Sequence, residues 1–276
     1  MQQLIGLAIL LGVLLAGCVS GYVAPALVAP MLSRKGDVAA SAQVRPFQPA
    51  KGAHANIAVA PLDRLRVYAS GSVASYRELS TSETGRRVES EKSRAQYGEL
   101  GGGFGYAYKR LRMEALAGVG MGRVEATDYV CARGSWHGER CQMNDFVARY
   151  KRMSLQPVVG FVTRVWEAGM GGRFALSRFE FQEVHGAPSS RNAWVPGLEV
   201  FNVQRVGFRW IKLEGQVAWP IVLDSPKANG HRIIQQPGPY FTLGVHVSVL
   251  DAWRAGRDGV ARQARRVDSQ AGAAAQ

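Results

Sequence analysis

Residues 240–249 read YFTLGVHVSV, the cleanest alternation in the chain. Phe241, Leu243, Val245, Val247 and Val249 fall on one face, and Tyr240, Thr242, His246 and Ser248 on the other. A period of two sustained over such a stretch is the pattern of a strand with one apolar side. The same dyad recurs upstream. In IKLEGQVAW (211–219), Ile211, Leu213, Val217 and Trp219 oppose Lys212, Glu214 and Gln216. In ELGGGFGYAY (99–108), Leu100, Phe104, Tyr106 and Tyr108 oppose Glu99, Gly101, Gly103 and Gly105. In LRVYASGSVASY (65–76), Leu65, Val67, Ala69 and Val73 oppose Arg66, Tyr68, Ser70 and Ser72.

Strand candidates fall near 37–46, 53–61, 65–77, 96–108, 112–125, 152–165, 170–182, 197–205, 210–222 and 238–250. The links between them alternate in length. Tight turns are expected at Leu62–Arg64, Lys109–Leu111, Trp166–Gly169 and Val206–Arg209, and long polar loops over 78–95, 126–151, 183–196 and 223–237. Short turns at one end and long loops at the other describe an all-β, antiparallel, up-and-down transmembrane β-barrel, here of about ten strands. Closure satisfies every backbone donor and acceptor, which lipid requires. A soluble lipocalin-like or double-sheet protein is the alternative the strand pattern leaves open.

The N-terminus supplies the compartment. From Leu4 to Ala16 only small or apolar residues occur, ending in Leu15-Ala16-Gly17-Cys18. That run is too short to span a bilayer as a helix and fits the apolar region of a signal peptide. Its last four residues resemble the bacterial lipobox, which implies acylation of Cys18 as the first mature residue. The division of the chain is then 1–17 signal peptide, 18–36 lipidated linker, 37–250 barrel and 251–276 tail. The tail sets five arginines against three aspartates and reads as disordered. An anchor on the periplasmic side and an even strand count put the short turns in the periplasm and the long loops outside.

Composition agrees and excludes. At 47% hydrophobic and 20% charged, the chain is not broadly disordered. Its net charge of +13 suits anionic surfaces without choosing among them. Nucleic-acid binding has no motif behind it and conflicts with the signal peptide. Three cysteines rule out a disulfide-dense miniprotein and a four-thiolate zinc site. With Cys18 acylated, Cys131 and Cys141 are expected to form a disulfide, since an envelope compartment permits one. Metal binding by Cys131, His137 and Cys141 is the sharper alternative, but no fourth ligand stands at zinc spacing. Between the cysteines, Trp136 stands among Arg133, His137 and Arg140, candidates for loop contact with an anionic or glycan ligand.

In the last strand, Thr242, Gly244, Val247 and Val249 stand at the spacing by which barrel strands are recognised for assembly, which implies the barrel-assembly machinery as a partner beside outer-membrane lipid. The lipobox, Ala24-Pro25, Pro30-Met31-Leu32-Ser33-Arg34-Lys35-Gly36-Asp37, Ala58-Val59-Ala60-Pro61-Leu62 and Val67-Tyr68-Ala69-Ser70-Gly71-Ser72 together resemble a group of outer-membrane β-barrel lipoproteins of Bacteroidota type. The resemblance implies a place in the envelope rather than a reaction.

Chemistry-bearing motifs are sparse. Gly101-Gly102-Gly103-Phe104-Gly105 and Gly118-x-Gly120-x-Gly122 complete neither dinucleotide nor Walker spacing and lie within strand pattern, so they are read as room for large side chains inside the barrel. His246 is expected in the lumen, and His54, His137, His185 and His231 in or beside loops. No local signature groups a nucleophile and an acid around any of them, so no enzyme, cofactor or metal is expected. Arg66, Glu99, Glu114, Arg164, Arg173, Lys212 and Glu214 are expected to line the lumen, as a plug of ion pairs or as the wall of a narrow polar pore. The leading function is a structural or surface-interaction role through external loops. A narrow pore comes second, and an envelope hydrolase third.

Overall fold

The computed structural model describes residues 28–46, 50–81, 87–132, 140–183, 192–208, 210–223, 227–228, 231–232 and 239–249. Its elements are β1 (Val38–Arg45), β2 (Ala50–Val59), β3 (Leu65–Thr81), β4 (Arg87–Tyr108), β5 (Leu111–Ala132), β6 (Arg140–Val162), β7 (Trp166–Glu183), β8 (Asn192–Gly207), β9 (Ile211–Val222), β10 (Lys227–Ala228), β11 (His231–Arg232) and β12 (Tyr240–Ser248). All but β10 and β11 form one closed antiparallel barrel, in which each strand pairs with its neighbour in sequence. The ring closes where β12 crosses to β1, with Ala42 opposite Val245 and Val44 opposite Leu243. Closure leaves no sheet edge. The small β10–β11 hairpin lies within the connection between β9 and β12.

Alternation decides which side of the wall each residue takes. Outward-facing Leu100, Phe104, Met121 and Leu213 are 65%, 72%, 70% and 72% exposed, whereas inward-facing Arg66, Arg173, Glu214 and Gln216 are 1–2% exposed. A water-soluble protein shows the reverse distribution. An apolar belt running round the outside of a polar interior is what a lipid environment demands. Aromatic residues rim the belt: Tyr106, Tyr108, Trp166, Phe208 and Trp210 toward the short turns, Trp194 and Trp219 toward the other end, all exposed. Trp210 and Trp219 stand nine positions apart. At ~3.3 Å per residue and a tilt of about 40°, that separates the two rims by roughly 23 Å, close to the ~25 Å apolar band of such barrels.

Local chemistry sets the turns. Lys109 adopts a φ of 51° in the two-residue connection 109–110, the left-handed backbone that tight hairpins favour. At the next short connection, Thr163 Oγ1 accepts from the Trp166 amide at 2.9 Å and donates to its carbonyl at 2.7 Å. This clasp ends β6 at Val162 and places the turn at 163–165 instead of 166–169. The loops expected over 78–95, 126–151 and 183–196 are also shorter than the pattern suggests. β4, β5 and β6 run for 22, 22 and 23 residues, well past the ~10 that cross a bilayer. Beyond lipid the outer face no longer needs to be apolar, so the dyad fades while the backbone ladder continues.

Candidate functional site

The lumen is occupied, and at its short-turn end the occupant is the chain's own N-terminal segment. Val28, Ala29, Met31 and Leu32 are buried within the barrel at the short-turn end. A turn aims them there. Asp37 Oδ2 accepts from the Ser33 and Arg34 amides, both at 3.0 Å, and Gly36 takes a φ of 81°. Gly36 donates to the Ala60 carbonyl at 2.7 Å, fixing the strap to the end of β2. The segment 18–36, expected as a linker, is therefore structural from residue 28 onward.

Polar groups of the wall satisfy the strap's backbone. Glu114 accepts from the Met31 and Leu32 amides, both at 3.1 Å. Arg66 donates to the Leu32 carbonyl at 3.0 Å, Arg205 to the Ala29 carbonyl at 2.5 Å, and Gln156 to the Val28 carbonyl. Arg112 holds the Ser33 hydroxyl at 2.8 and 3.0 Å. Apolar contacts divide between opposite walls. Ala29 and Met31 pack with Val158, Phe201, Val203 and Ala218, while Val28 and Leu32 pack with Ala39, Ala58, Tyr68 and Leu116. Gly160 and Gly169, cross-strand partners, leave a notch for the Met31 sulfur that a Cβ on either would invade.

Beside and above the strap lie three charge groups. Arg205 bonds Glu214 at 2.6 Å and Glu167 at 3.2 Å, and Lys212 pairs with Glu167. Glu214 also accepts from Gln43, and His246 Nδ1 stands 3.6 Å from it. Nearer mid-barrel, Glu199 pairs with Arg152 at 2.7 Å and with Arg173. Glu99 accepts from the hydroxyls of Tyr68, Tyr97 and Ser154. Each of these carboxylates faces a cation or several donors, the condition on which a charge can remain in a dry interior.

The upper lumen is aromatic and partly empty. A row of cross-strand partners, Gly244, Gln43, His54, Ser72, Tyr97, Gly122, Tyr150 and Phe179, runs along the wall. Gly122 leaves the two flanking tyrosines face to face, their centroids 5.7 Å apart and their planes within 4°. Tyr150 also stacks on Phe179 at 5.0 Å. A cavity of about 1150 Å³ adjoins them, with Gln43, His54, Ser72, Tyr97 and Tyr150 in its lining.

Of the residues expected in the lumen, Arg66, Glu99, Glu114, Arg173, Lys212 and Glu214 are buried there. Arg164 is corrected: it sits in the 163–165 turn and not in the lumen, because the Thr163 clasp ends the strand before it. His54, expected in or beside a loop at the start of the strand over 53–61, faces the lumen within β2, which begins at Ala50. Arg112, Arg152, Glu167, Glu199 and Arg205 belong to the same networks, and the sequence reading does not single them out. Their signal lies in strand phase, two residues at a time from Glu114, Arg173 and Glu214 across the register. The lumen glycines take the role expected of them. A Cβ on Gly118 would meet Tyr68 and Glu99, on Gly120 Tyr97, and on Gly122 Tyr150. The register sets Cys131 directly opposite Cys141 at the far end of β5 and β6, and Arg140 opens β6. Cys18, Arg133, Trp136 and His137 lie outside the described residues.

No family model matches the chain, and no curated protein matches it. Among solved structures it is similar to the outer membrane protease OmpT from Escherichia coli (11% identity, TM-score 0.43, 77% of this chain and 94% of that one). It is similar to the translocator domain of the autotransporter NalP from Neisseria meningitidis (12%, 0.44, 77% and 88%). A major outer membrane protein from Thermus thermophilus is a further likeness (11%, 0.35, 77% and 98%). At these values the likeness carries no residue-level correspondence.

Proposed function

We propose that the chain is an outer-membrane barrel, lipid-anchored at Cys18 in the manner of the Bacteroidota-type lipoproteins its sequence resembles. In this reading it acts as a structural or surface-interaction protein and not as an enzyme. The short turns and the strap face the periplasm, where the anchor lies only ten positions before Val28. The long-loop end faces outward, stiffened by the β5–β6 hairpin and by a disulfide between Cys131 and Cys141. Its partners are outer-membrane lipid, the assembly machinery, and an anionic or glycan surface met by Arg133, Trp136, His137 and Arg140.

The observation that carries this reading is the strap: a lumen closed by its own chain, with wall carboxylates and guanidinia committed to holding it, is built as an anchor. A pore is the second reading, favoured by the cavity at the other end of the same lumen, which becomes a conduit once the strap withdraws. Single-channel recording in planar bilayers separates the two. The full chain is expected to be silent, and a variant with glycine and serine in place of Val28–Leu32 to conduct. Regular conductance steps from the unaltered chain would assign the pore.

A further inference from the structure

On the outer wall of β5–β8, like charges stand directly opposite one another. Arg123 pairs across the ladder with Arg149, and Lys151 with Arg178. All four belong to the outward face, because their neighbours in sequence, Gly122, Val124, Ala148, Tyr150, Ser177 and Phe179, turn inward. Like charges directly opposite in an antiparallel pair destabilise it. Carboxylates offset the upper pair: Glu125 bonds Arg123 at 2.7 Å, and Glu180 stands opposite Arg149. No carboxylate offsets the lower one in its own row, which reads Met121, Lys151, Arg178, Trp194. The Arg178 guanidinium lies 5.9 Å from the Trp194 ring, and its Nε is buried with no hydrogen-bond partner among the described residues.

What lies beneath that row is uninterrupted hydrocarbon surface. The next outward row toward the short turns is Val119, Met153, Leu176 and Pro196, and the one after it Ala117, Leu155, Phe174 and Leu198. Two cations therefore sit at the upper border of the apolar belt, flanked by a tryptophan of the aromatic rim. That is the height at which a lipid's headgroup meets its acyl chains.

We propose that Lys151 and Arg178 bind the phosphate of an anionic membrane lipid in the leaflet at the long-loop end, with its acyl chains lying along Met153, Leu176 and Phe174. Arginine and lysine are the usual pair for this: one offers a planar fork of donors, the other a mobile point charge. The bound phosphate removes the repulsion between the two cations. The inference rests on the membrane placement of the barrel.

Native mass spectrometry of the full chain released from detergent tests it, with phosphatidylglycerol, lipid A and an uncharged galactosyl diacylglycerol as probes and inorganic phosphate as a free competitor. Flotation with vesicles is run alongside. The unaltered chain is expected to float and to retain phosphatidylglycerol and lipid A in preference to the uncharged lipid. K151Q/R178Q should lower that retention by roughly tenfold or more, since it removes both cations that meet the phosphate. K51Q/K109Q, which removes cations elsewhere, should leave it unchanged, and K151R/R178K should restore it. Equal retention in K151Q/R178Q, an equal loss in K51Q/K109Q, or displacement of the lipid by millimolar phosphate overturns the lipid site. Protein that fails to float overturns the membrane placement itself.

Discussion

The backbone amide of Met31 donates to Glu114 Oε2 at 3.1 Å, tying the N-terminal strap to β5 across 83 positions of sequence. The other oxygen of the same carboxylate accepts from Leu32 at 3.1 Å and lies 3.6 Å from the Arg66 Nε. Glu114→Ala therefore leaves two buried amides short of an acceptor and a guanidinium without its counter-charge. Losing one partner of a buried pair costs about 3–5 kcal/mol. The expected result is faster heat unfolding of the folded barrel in detergent and faster amide exchange at Met31 and Leu32. Glu114→Gln, which keeps an acceptor, should sit between. Native exchange rates at both amides in Glu114→Ala would show that the strap does not depend on this carboxylate.

The second prediction separates steric need from strand propensity. Valine suits a strand better than glycine, so Gly122→Val should stabilise β5 if only propensity mattered. Instead the new side chain would run into the Tyr150 ring and break the Tyr97–Tyr150 stack. Overpacking of this kind costs about 1–3 kcal/mol. The single variant should unfold at a lower temperature, and adding Tyr150→Ala should recover part of the loss, a coupling visible in a double-mutant cycle. Strictly additive effects would mean the ring moves aside freely.

What the sequence discloses follows from where lipid and water meet the wall. β12, β9 and β4 are legible because one face meets hydrocarbon and the other a polar lumen. β8 is harder to read: Val200 faces out, while Phe201 and Val203 face in and are apolar too, because they pack with the strap's Ala29 and Met31. The strap itself leaves no periodic signal. Its partners Gln156 and Arg205 lie 128 and 176 positions away, and a short apolar run containing Pro30 reads as linker. The charged lumen is legible in part. Glu114, Arg173 and Glu214 stand out in their strands, but which cation each meets depends on register across the barrel, and single segments do not carry that.

The third prediction concerns the far end of the β5–β6 hairpin. The register makes Cys131 and Cys141 direct cross-strand partners. Alkylation of the unreduced, unfolded protein should label neither, and labelling should appear only after reduction. Closing so short a loop changes stability by on the order of 2–3 kcal/mol, applied to a tip that the barrel wall does not need. Cys131→Ser with Cys141→Ser should thus assemble normally and become sensitive to protease between 132 and 140. Two alkylated thiols without reductant would refute the disulfide.

For the anchor, Cys18→Ser should abolish incorporation of labelled fatty acid and block cleavage after Gly17, leaving a precursor of higher mass. Labelled lipid persisting on this variant would place the acyl group elsewhere.

The last prediction addresses what the mid-lumen charges contribute. Glu199 is 4% exposed and serves both Arg152, at 2.7 Å, and Arg173. Glu199→Leu removes one negative charge and leaves two guanidinia facing each other in the lumen. The loss should reach about 3–5 kcal/mol, the cost of stranding a buried charge. The same two guanidinia also balance the buried Glu99. Replacing all four groups at once, Glu99→Gln, Arg152→Met, Arg173→Met and Glu199→Leu, removes the charges together with their desolvation penalty, and such exchanges are often neutral or stabilising. The quadruple variant should therefore unfold at a temperature near that of the unaltered protein while the single one falls well below it. The comparison also bears on the tyrosines, because Arg152 stands 5.9 Å from the Tyr97 ring and that hydroxyl is held by Glu99, an acceptor that Gln retains. A quadruple variant as unstable as Glu199→Leu would mean that the guanidinia order the aromatic layer above them, and that their role is to position Tyr97 rather than merely to neutralise the two carboxylates.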